Sequence, residues 1–181
     1  MIEKETESRG ELPASPHRIR PAGPADTSLL AKLIRESHTD VAVQFGLSGT
    51  NCPKHPSFCS EDWIAADFAR GEKYFILFSN EEPVGCVAYE KPSAALAYLN
   101  RLSVLPPYRR RGCGAELVGF VLELARRDSV KTLSIGVIGE HTALLKWYGK
   151  LGFVYRETKR FPHLPFSVTY MSHAVGSADG V

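Results

Sequence analysis

Apolar residues follow two spacings along this chain, and segments with one spacing alternate with segments that show the other. Apolar positions three or four residues apart predict helices that begin at Asp26 and at Ser60 and that cover 114–128 and 142–150. Short runs rich in β-branched and aromatic residues predict strands over 17–22, 74–78, 84–90, 96–104, 132–138, 153–157 and 166–171. The predicted order is strand, two helices, three strands, helix, strand, helix and two strands.

Local signals mark the boundaries of the first two helices. Asp26 and Ser60 belong to the residue types whose side chains accept hydrogen bonds from the first amides of a helix. Gly71 is typical of the residue just beyond a helix end. Residues 39–60 contain glycines and prolines without a sustained period, so we predict a long loop there. Because long loops are often functional, we expect this one to shape part of a ligand site.

The connections between the strands determine the fold class. Short turns join the strands from 74 to 104, which predicts an antiparallel meander. The helix between strands 96–104 and 132–138 is the kind of crossover that a parallel pair requires. The sequence therefore predicts an α/β fold with a mixed, mostly antiparallel central sheet of about seven strands flanked by about four helices.

Length and composition set the number of domains. The chain has 181 residues, 44% of them hydrophobic, which suits one packed domain. We expect that domain to cover 17–175. Residues 1–16 are charged, contain prolines and lack an apolar period, so we predict a disordered tail there and a second short tail over 176–181.

The net charge and the cysteine content indicate which classes of binding partner and which cellular compartment to expect. The net charge of +2 gives no strong global field that would attract a nucleic acid. No apolar run approaches the ~20 residues that span a bilayer. The four cysteines are too few and too scattered for a disulfide framework. We therefore expect a cytoplasmic protein that binds neither nucleic acid nor membrane.

A basic loop that contains glycine joins the strand 96–104 to the helix 114–128. Its residues 109–114 are Arg-Arg-Arg-Gly-Cys-Gly. Glycine permits backbone angles that turn successive amides toward one point, and the first amides of a helix lack internal partners at the positive end of its dipole. The loop therefore predicts a phosphate or pyrophosphate site, and a solvated basic turn before the helix is the alternative. Its spacing matches neither the Walker loop nor the dinucleotide fingerprint.

Two segments resemble the GCN5-related N-acetyltransferase (GNAT) family. Residues 109–114 match the family's Arg/Gln-x-x-Gly-x-Gly/Ala loop. Residues 144–153, which include Tyr148 and Phe153, are similar to its Ala-x-x-Leu-Tyr-x-Lys-x-Gly-Phe segment. Residues 19–22 and the helix that follows them are also similar to the family's usual start.

The resemblance covers about residues 17–172 and implies both a fold and an activity. The implied fold has two central parallel strands that splay apart. The implied activity is direct transfer of an acetyl group from acetyl-coenzyme A to a primary amine in a ternary complex. The residues implied to bind the coenzyme are Leu102, Ser103, Val104, Arg109, Arg110, Arg111, Gly112, Cys113, Gly114, Ala115 and His141.

The resemblance also implies catalytic roles. Tyr148 would protonate the leaving thiolate, and the Val104 amide would stabilise the negative charge that develops on the thioester oxygen. The family often has an asparagine where this chain has His141, and its histone-acetylating members have a glutamate base where this chain has Tyr98. Glu90, which ends the neighbouring strand, is our first candidate for the general base. A solvated carboxylate at a strand end is the alternative.

The other histidines, aspartates and cysteines that we considered are predicted to have neither a catalytic nor a metal-binding role. His38, Asp40 and His163 belong to segments near the expected acceptor cleft, but each is predicted to be an ordinary surface or loop residue rather than a catalytic group. Cys52, His55 and Cys59 invite a zinc interpretation, but their spacing provides at most three ligands without a paired second set, so we predict no metal site.

Two other functions stay open at this stage. A non-catalytic domain that binds acyl-coenzyme A for sensing or regulation is the main alternative, and a nucleic-acid-binding module is disfavoured by the low net charge. The acceptor is not identified, because a protein N-terminus, a lysine, a polyamine and an amino acid all remain compatible with residues 39–60 and 160–166, which should shape its cleft. Homodimerisation is common among proteins with this resemblance and is also left open.

Overall fold

The computed structural model describes residues 17–176 and contains one mixed sheet with helices on both faces. The strands are β1 (His17–Ala22), β2 (Lys73–Ser79), β3 (Glu82–Glu90), β4 (Leu96–Val104), β5 (Thr132–Ile138), β6 (Val154–Arg160) and β7 (Ser167–Ala174). The α-helices are α1 (Thr27–Gln44), α2 (Glu61–Ala69), α3 (Cys113–Arg127) and α4 (Thr142–Lys150). Short 3-10 helices cover Pro24–Asp26, Pro56–Phe58 and Pro106–Tyr108. The predicted tail 1–16 and all but the first residue of the predicted tail 176–181 lie outside the described residues.

The seven strands lie in the order β1-β2-β3-β4-β5-β7-β6. Adjacent strands are antiparallel except β4 and β5, which are parallel. This arrangement confirms the predicted mixed, mostly antiparallel sheet. No helix within residues 17–176 is long and apolar enough to cross a bilayer.

The sheet separates two hydrophobic cores because successive side chains of a strand point to opposite faces. On one face, Ile76 packs with Leu30 and Ile34 of α1. On the other face, Leu77 packs with residues of α3 that include Leu117. Helices α1 and α3 therefore cover opposite faces, and a ligand that passes through the sheet would contact both.

The sheet opens between β4 and β5. These strands pair only at their beginnings, where Leu96 to Tyr98 lie opposite Thr132 to Ser134. Beyond that point the facing backbone edges are unpaired within the sheet. This opening confirms the predicted splayed parallel strands.

Strand β4 is also irregular on its other side. Its pairing with β3 shifts register between Cys86, which lies opposite Ser103, and Ala88, which lies opposite Asn100. Two residues of β4 therefore lie opposite one residue of β3, and Arg101 has a φ of +54°. Such a bulge bends a strand and changes the direction of its backbone groups, here beside the opening.

Helix α1 is longer than the sequence suggested. The loop predicted over 39–60 is helical as far as Gln44, and only the part beyond it is irregular. Ala42 is buried in this part of the helix. Gly46, which follows the end of α1, has a φ of +61° and therefore cannot continue the helical conformation. The dense glycines and prolines after residue 45 obscured the helical period before them.

The start of α1 also differs from the prediction. The Asp26 side chain does not accept a hydrogen bond from the helix amides. It instead accepts bonds from the Arg20 guanidinium, at 2.7 and 2.9 Å, and from the Gly23 amide at 3.0 Å. The Ser60 prediction is confirmed, because Ser60 Oγ accepts a hydrogen bond from the Trp63 amide and α2 begins at Glu61.

Candidate active site

A cavity of about 960 Å³ occupies the opening between β4 and β5. Residues 98–102 and 104 of β4 and residues 134–138 of β5 line it. Helices α3 and α4 contribute the wall on one face of the sheet, and α1 contributes the wall on the other. The volume lies within the range of cofactor and small-molecule sites.

The start of α3 forms a cradle of backbone amides at the cavity. Gly112 is the N-cap of α3, with a φ of +86° and no side-chain capping bond. Arg110 also has a positive φ, of +60°. Backbone conformations of this kind turn consecutive amides toward one point, and the helix dipole adds positive potential there. Arg110, Gly112, Gly114 and Ala115 all line the cavity, so the cradle opens into it.

We call residues 109–115 the anion loop. Close packing against α4 explains why this loop has a second glycine, Gly114. A Cβ atom at Gly114 would lie 3.2 and 3.3 Å from ring atoms of Trp147 on α4. Glycine therefore lets α3 and α4 approach each other at the edge of the cavity.

The three arginines of the anion loop have different surroundings. Arg109 Nε donates to the Val104 carbonyl at 3.0 Å, and its guanidinium contacts Asp40 and the Ser37 carbonyl of α1. Arg111 is exposed, lies over the Tyr108 ring at 5.8 Å and does not line the cavity. Arg109 and Arg110 both line the cavity. The arrangement makes Arg109 a brace between β4 and α1, and it leaves Arg110 beside the amide cradle.

Tyr148 lies on the α4 wall of the cavity. Its ring packs edge-on against Trp147 and Phe153, with centroids 4.8 and 5.4 Å away. Burial raises the pKa of its phenol above the ordinary value. The phenol therefore stays protonated at neutral pH and can act as a proton donor.

His141 also lines the cavity and caps α4. Its Nδ1 accepts a hydrogen bond from the Leu144 amide at 3.4 Å. Because Nδ1 is an acceptor, the N–H of the neutral ring is at Nε2. That N–H is the donor that His141 has available for a ligand.

The wall on the opposite side of the sheet contains polar groups from residues in or next to the segment that was expected to shape the acceptor cleft. This wall, which we call the α1 face, consists of Ser37, His38, Val41, His55 and Pro56. Within residues 17–176, the Ser37 hydroxyl is the one buried side-chain polar atom that has no hydrogen-bond partner. A buried hydroxyl of this kind is a candidate contact for a ligand.

His38 lies near the cleft as expected, but it belongs to α1 and lines the cavity instead of lying in a loop or on the open surface. The signal was its spacing of four residues from Ile34, which continues the buried stripe of the helix. His55 is buried, and burial together with the nearby His38 lowers its pKa to about 4. Desolvation by burial lowers the pKa of His38 as well. Both rings are therefore neutral near pH 7.

Glu90 lies outside the cavity lining. It ends the strand next to β4 as expected and lies opposite Tyr98, and its carboxylate accepts a hydrogen bond from the Asn100 amide at 3.3 Å. The same amide donates to the buried Glu72 at 2.8 Å. This position favours a different group as the general base.

Two other residues implied to bind the coenzyme also lie outside the lining. Ser103 is buried, and its hydroxyl donates to the Arg101 carbonyl at 2.9 Å. Cys113 is buried with its Sγ 3.9 Å from His17 Nε2, and desolvation by burial raises the pKa of its thiol. Neither side chain faces the cavity, whereas Leu102, Val104 and His141 line it.

The residues weighed as zinc ligands do not form a metal cluster. Within residues 17–176, no three His, Cys, Asp or Glu side chains are grouped so that they could hold a metal ion. Cys52 and Cys59 are buried free thiols, and burial raises the pKa of both.

Solved structures share this fold at low sequence identity. The ribosomal-protein-S18-alanine N-acetyltransferase from Escherichia coli superposes with a TM-score of 0.72 at 19% identity, over 91% of this chain and 96% of that one. The PaiA N-acetyltransferase from Thermoplasma acidophilum, in complex with coenzyme A, gives 0.74 at 17% identity over 87% and 98%. YncA from Salmonella typhimurium, a putative acetyltransferase with acetyl-CoA, gives 0.65 at 16% identity over 92% and 98%.

A comparison with curated protein sequences finds no match. The family model described as the acetyltransferase (GNAT) family matches residues 36–153, which are more than half of the chain. The match includes the anion loop, the opening between β4 and β5, and Tyr148. This protein belongs to the GNAT acetyltransferase family.

Proposed function

We propose that this protein transfers the acetyl group of acetyl-coenzyme A to a primary amine, by direct attack of the amine in a ternary complex. The observation that carries the proposal is one continuous cavity that joins the amide cradle of the anion loop, the open edge of β4 and Tyr148. Family membership supports acetyl transfer in general. PaiA and YncA, whose structures contain coenzyme A and acetyl-CoA, support the choice of donor.

The cavity fits the chemistry of this donor. A diphosphate suits the amides of Gly112, Gly114 and Ala115 at the positive end of α3, with the Arg110 side chain beside them. The donor's arm carries amides, which can pair with the free backbone groups of β4 at Leu102 and Val104. When bound, the thioester supplies an activated acetyl group. In this assignment, Arg109 braces the site, and the side chains of Arg111, Ser103 and Cys113 do not face the donor.

The Val104 amide is the proposed donor to the thioester oxygen. The Leu105 amide donates to the Val84 carbonyl of β3 at 2.9 Å. Because successive amides of a strand point to opposite sides, the Val104 amide is directed away from β3 and toward the opening. A donor fixed in this position stabilises negative charge as it develops on the oxygen.

Tyr148 is the proposed general acid. Attack of the amine on the thioester gives a tetrahedral species, which collapses by expelling a thiolate. The thiolate is much more basic than water, so it takes up a proton at neutral pH. The phenol is protonated at neutral pH when the thiolate leaves, and after it donates its proton it can regain one from solvent. His141, through its Nε2–H, is the proposed contact to the donor's arm.

Two measurements test the proposal. Calorimetry with acetyl-coenzyme A should show saturable binding at one site. Release of free thiol should then depend on an added amine, measured across amino acids, peptides with a free N-terminus, a peptide with an internal lysine, and a polyamine. Binding without release by any amine would support the non-catalytic binder. Absence of binding would overturn the whole assignment.

A further inference from the structure

We infer that His38 is the general base of the reaction and that its Nε2 atom accepts the proton lost by the attacking amine. The inference rests on the proposed function. It replaces Glu90 in that role, because Glu90 does not line the cavity.

The position of His38 relative to the sheet suits the role. Tyr148 lies on the α4 wall, whereas His38 lies on the α1 face, on the other side of the sheet opening. In a direct transfer, the amine approaches the thioester carbonyl from one side and the thiolate leaves on another. His38, as the proton acceptor, would lie on the side from which the amine approaches, and Tyr148, as the proton donor, on the side where the thiolate leaves.

The hydrogen bonds of His38 fix which ring nitrogen is available. Nδ1 lies 2.9 Å from the Ile34 carbonyl oxygen of the preceding turn. A carbonyl can only accept, so Nδ1 carries the proton. In the neutral ring, Nε2 therefore carries the lone pair, which is the form that a general base needs.

His55 has the opposite tautomer. Its Nδ1 accepts a hydrogen bond from the Ser57 backbone amide at 3.3 Å, and a backbone amide can only donate. The lone pair of His55 is therefore used within its own loop, and its N–H is at Nε2. The two rings meet edge-on with centroids 6.0 Å apart. Within residues 17–176, no hydrogen bond occupies His38 Nε2, so His38 is the member of this pair whose lone pair is available, and His55 packs against its ring.

Burial keeps the His38 ring neutral, because desolvation is the main cause that lowers its pKa. Arg109 of the anion loop and Arg101 of β4 lower the pKa further, whereas the hydrogen bond from Nδ1 to the Ile34 carbonyl raises it. Asp40 of α1 also raises it, but its carboxylate is paired with Arg109. His55 is neutral and adds no charge near pH 7. A neutral imidazole can accept a proton, whereas an imidazolium cannot.

The proposed step conserves atoms and charge. The amine nitrogen forms a bond to the acetyl carbon, and one of its protons moves to His38 Nε2. The carbon–sulfur bond then breaks, its electron pair goes to sulfur, and sulfur takes the Tyr148 proton. The products are the N-acetylated amine and the free thiol. Proton exchange with solvent returns His38 to its neutral form and Tyr148 to its protonated form.

Two variants of His38 separate base catalysis from packing. His38→Asn keeps a side-chain donor near the position of Nδ1, and His38→Gln keeps a polar atom near the position of Nε2. Neither side chain can accept a proton at neutral pH. With the amine that supports the fastest thiol release, each variant should lower kcat by about 100-fold or more. The affinity for acetyl-coenzyme A, measured by calorimetry, should stay at the wild-type value.

The pH profile and a matched control complete the kinetic test. In the wild type, kcat should fall as the pH drops through the pKa of His38, which lies below the ordinary value of about 6.5. Both variants should lack this acid limb. His173→Gln, which changes a histidine on β7 that packs against Phe153 outside the cavity, should retain the wild-type kcat and profile. If the variants turn over at the wild-type rate with an unchanged profile, the inference is wrong.

A spectroscopic measurement tests the inference without an acceptor. Nitrogen-15 NMR of histidine-labelled protein, assigned by the signal lost in His38→Asn, should show the Nδ1–H tautomer for His38 at pH 7. His55 should show the Nε2–H tautomer. An imidazolium or an Nε2–H form of His38 would overturn the inference even if every amine were acetylated. Conversely, the expected tautomers with no thiol release would count against the proposed function and leave the His38 geometry intact.

Discussion

The two ends of the cavity are built by different means. The anion loop is one continuous segment that presents backbone amides, and its shape depends on positive φ angles at Arg110 and Gly112. The α1 face instead consists of side chains from α1 and from the residues around Pro56, which approach each other only in the folded chain. The first end suits a fixed group such as a diphosphate. The second depends on individual side chains and is joined to the first through Arg109, which contacts Asp40 and the Ser37 carbonyl of α1.

The largest effect on turnover is expected where a side chain itself donates a proton in the reaction. Tyr148→Phe removes the phenolic proton and keeps the ring that packs against Trp147 and Phe153. We expect kcat to fall by about 100-fold or more, because general acid catalysis typically contributes that much. Acetyl-coenzyme A should bind with the wild-type affinity in calorimetry. Phe153→Leu, which alters the same packing without removing a proton donor, serves as the control.

The result would be contradicted in either of two ways. An unchanged kcat for Tyr148→Phe would remove the phenol from the mechanism. A similar loss of kcat in both variants would show that the ring packing, rather than the proton, limits turnover.

A smaller effect is expected from the backbone of the anion loop. Gly112 has a φ of +86°, and a side chain in this left-handed region costs about 1–2 kcal/mol. If the loop relaxes to avoid that cost, Gly112→Ala should weaken acetyl-coenzyme A binding by about tenfold, which corresponds to about 1.4 kcal/mol. The kcat at saturating donor should stay near the wild-type value.

Gly119 provides a matched control on the same helix. A Cβ atom at Gly119 would meet nothing within 4 Å, and its φ is not positive. Gly119→Ala should leave the affinity unchanged and raise helix stability slightly, by up to about 1 kcal/mol. Equal affinities for the wild type and Gly112→Ala in calorimetry would show that the amide cradle does not hold the donor.

The same contrast explains what could be predicted from the sequence. The anion loop depends on glycines at fixed local spacing, so the sequence of residues 109–114 indicates it directly. The sheet follows from seven apolar runs and from connections of distinguishable length. These features are local or periodic, and a single sequence carries them.

The α1 face could not be predicted in the same way. His38 and His55 meet because α1 continues to Gln44 and the chain then returns through the turn at Pro56–Phe58. Glu90 shows the converse. Its place on the strand next to β4 followed from the predicted meander, but the opening of the sheet begins beyond Tyr98 and on the other edge of β4. Which carboxylate or imidazole reaches the cavity depends on where the strands separate, and that is a tertiary property.

The smallest effect is expected at the ion pair that connects the two ends. Asp40 of α1 accepts a hydrogen bond from Arg109 of the anion loop at 3.2 Å, and this guanidinium holds the pKa of the carboxyl below its ordinary value. A lowered pKa in the folded state stabilises the protein above the unfolded pKa of about 3.9, and this contribution is lost as the pH falls through the folded pKa. Because Asp40 is half exposed, Asp40→Asn should lower the free energy of unfolding at pH 7 by no more than about 1 kcal/mol.

Urea denaturation at pH 7, 5 and 3 measures this difference, which should persist at pH 5 and shrink toward pH 3. Glu36→Gln on the same helix, where the carboxylate lies 3.9 Å from Lys32 Nζ, should have a smaller effect at each pH. Arg109 keeps its bonds to the Val104 and Ser37 carbonyls in Asp40→Asn, so the affinity for acetyl-coenzyme A should not change. A tighter affinity in that variant would mean that Asp40 competes with the donor for Arg109. The guanidinium would then belong to the phosphate site, and the separation between the two ends of the cavity would no longer hold.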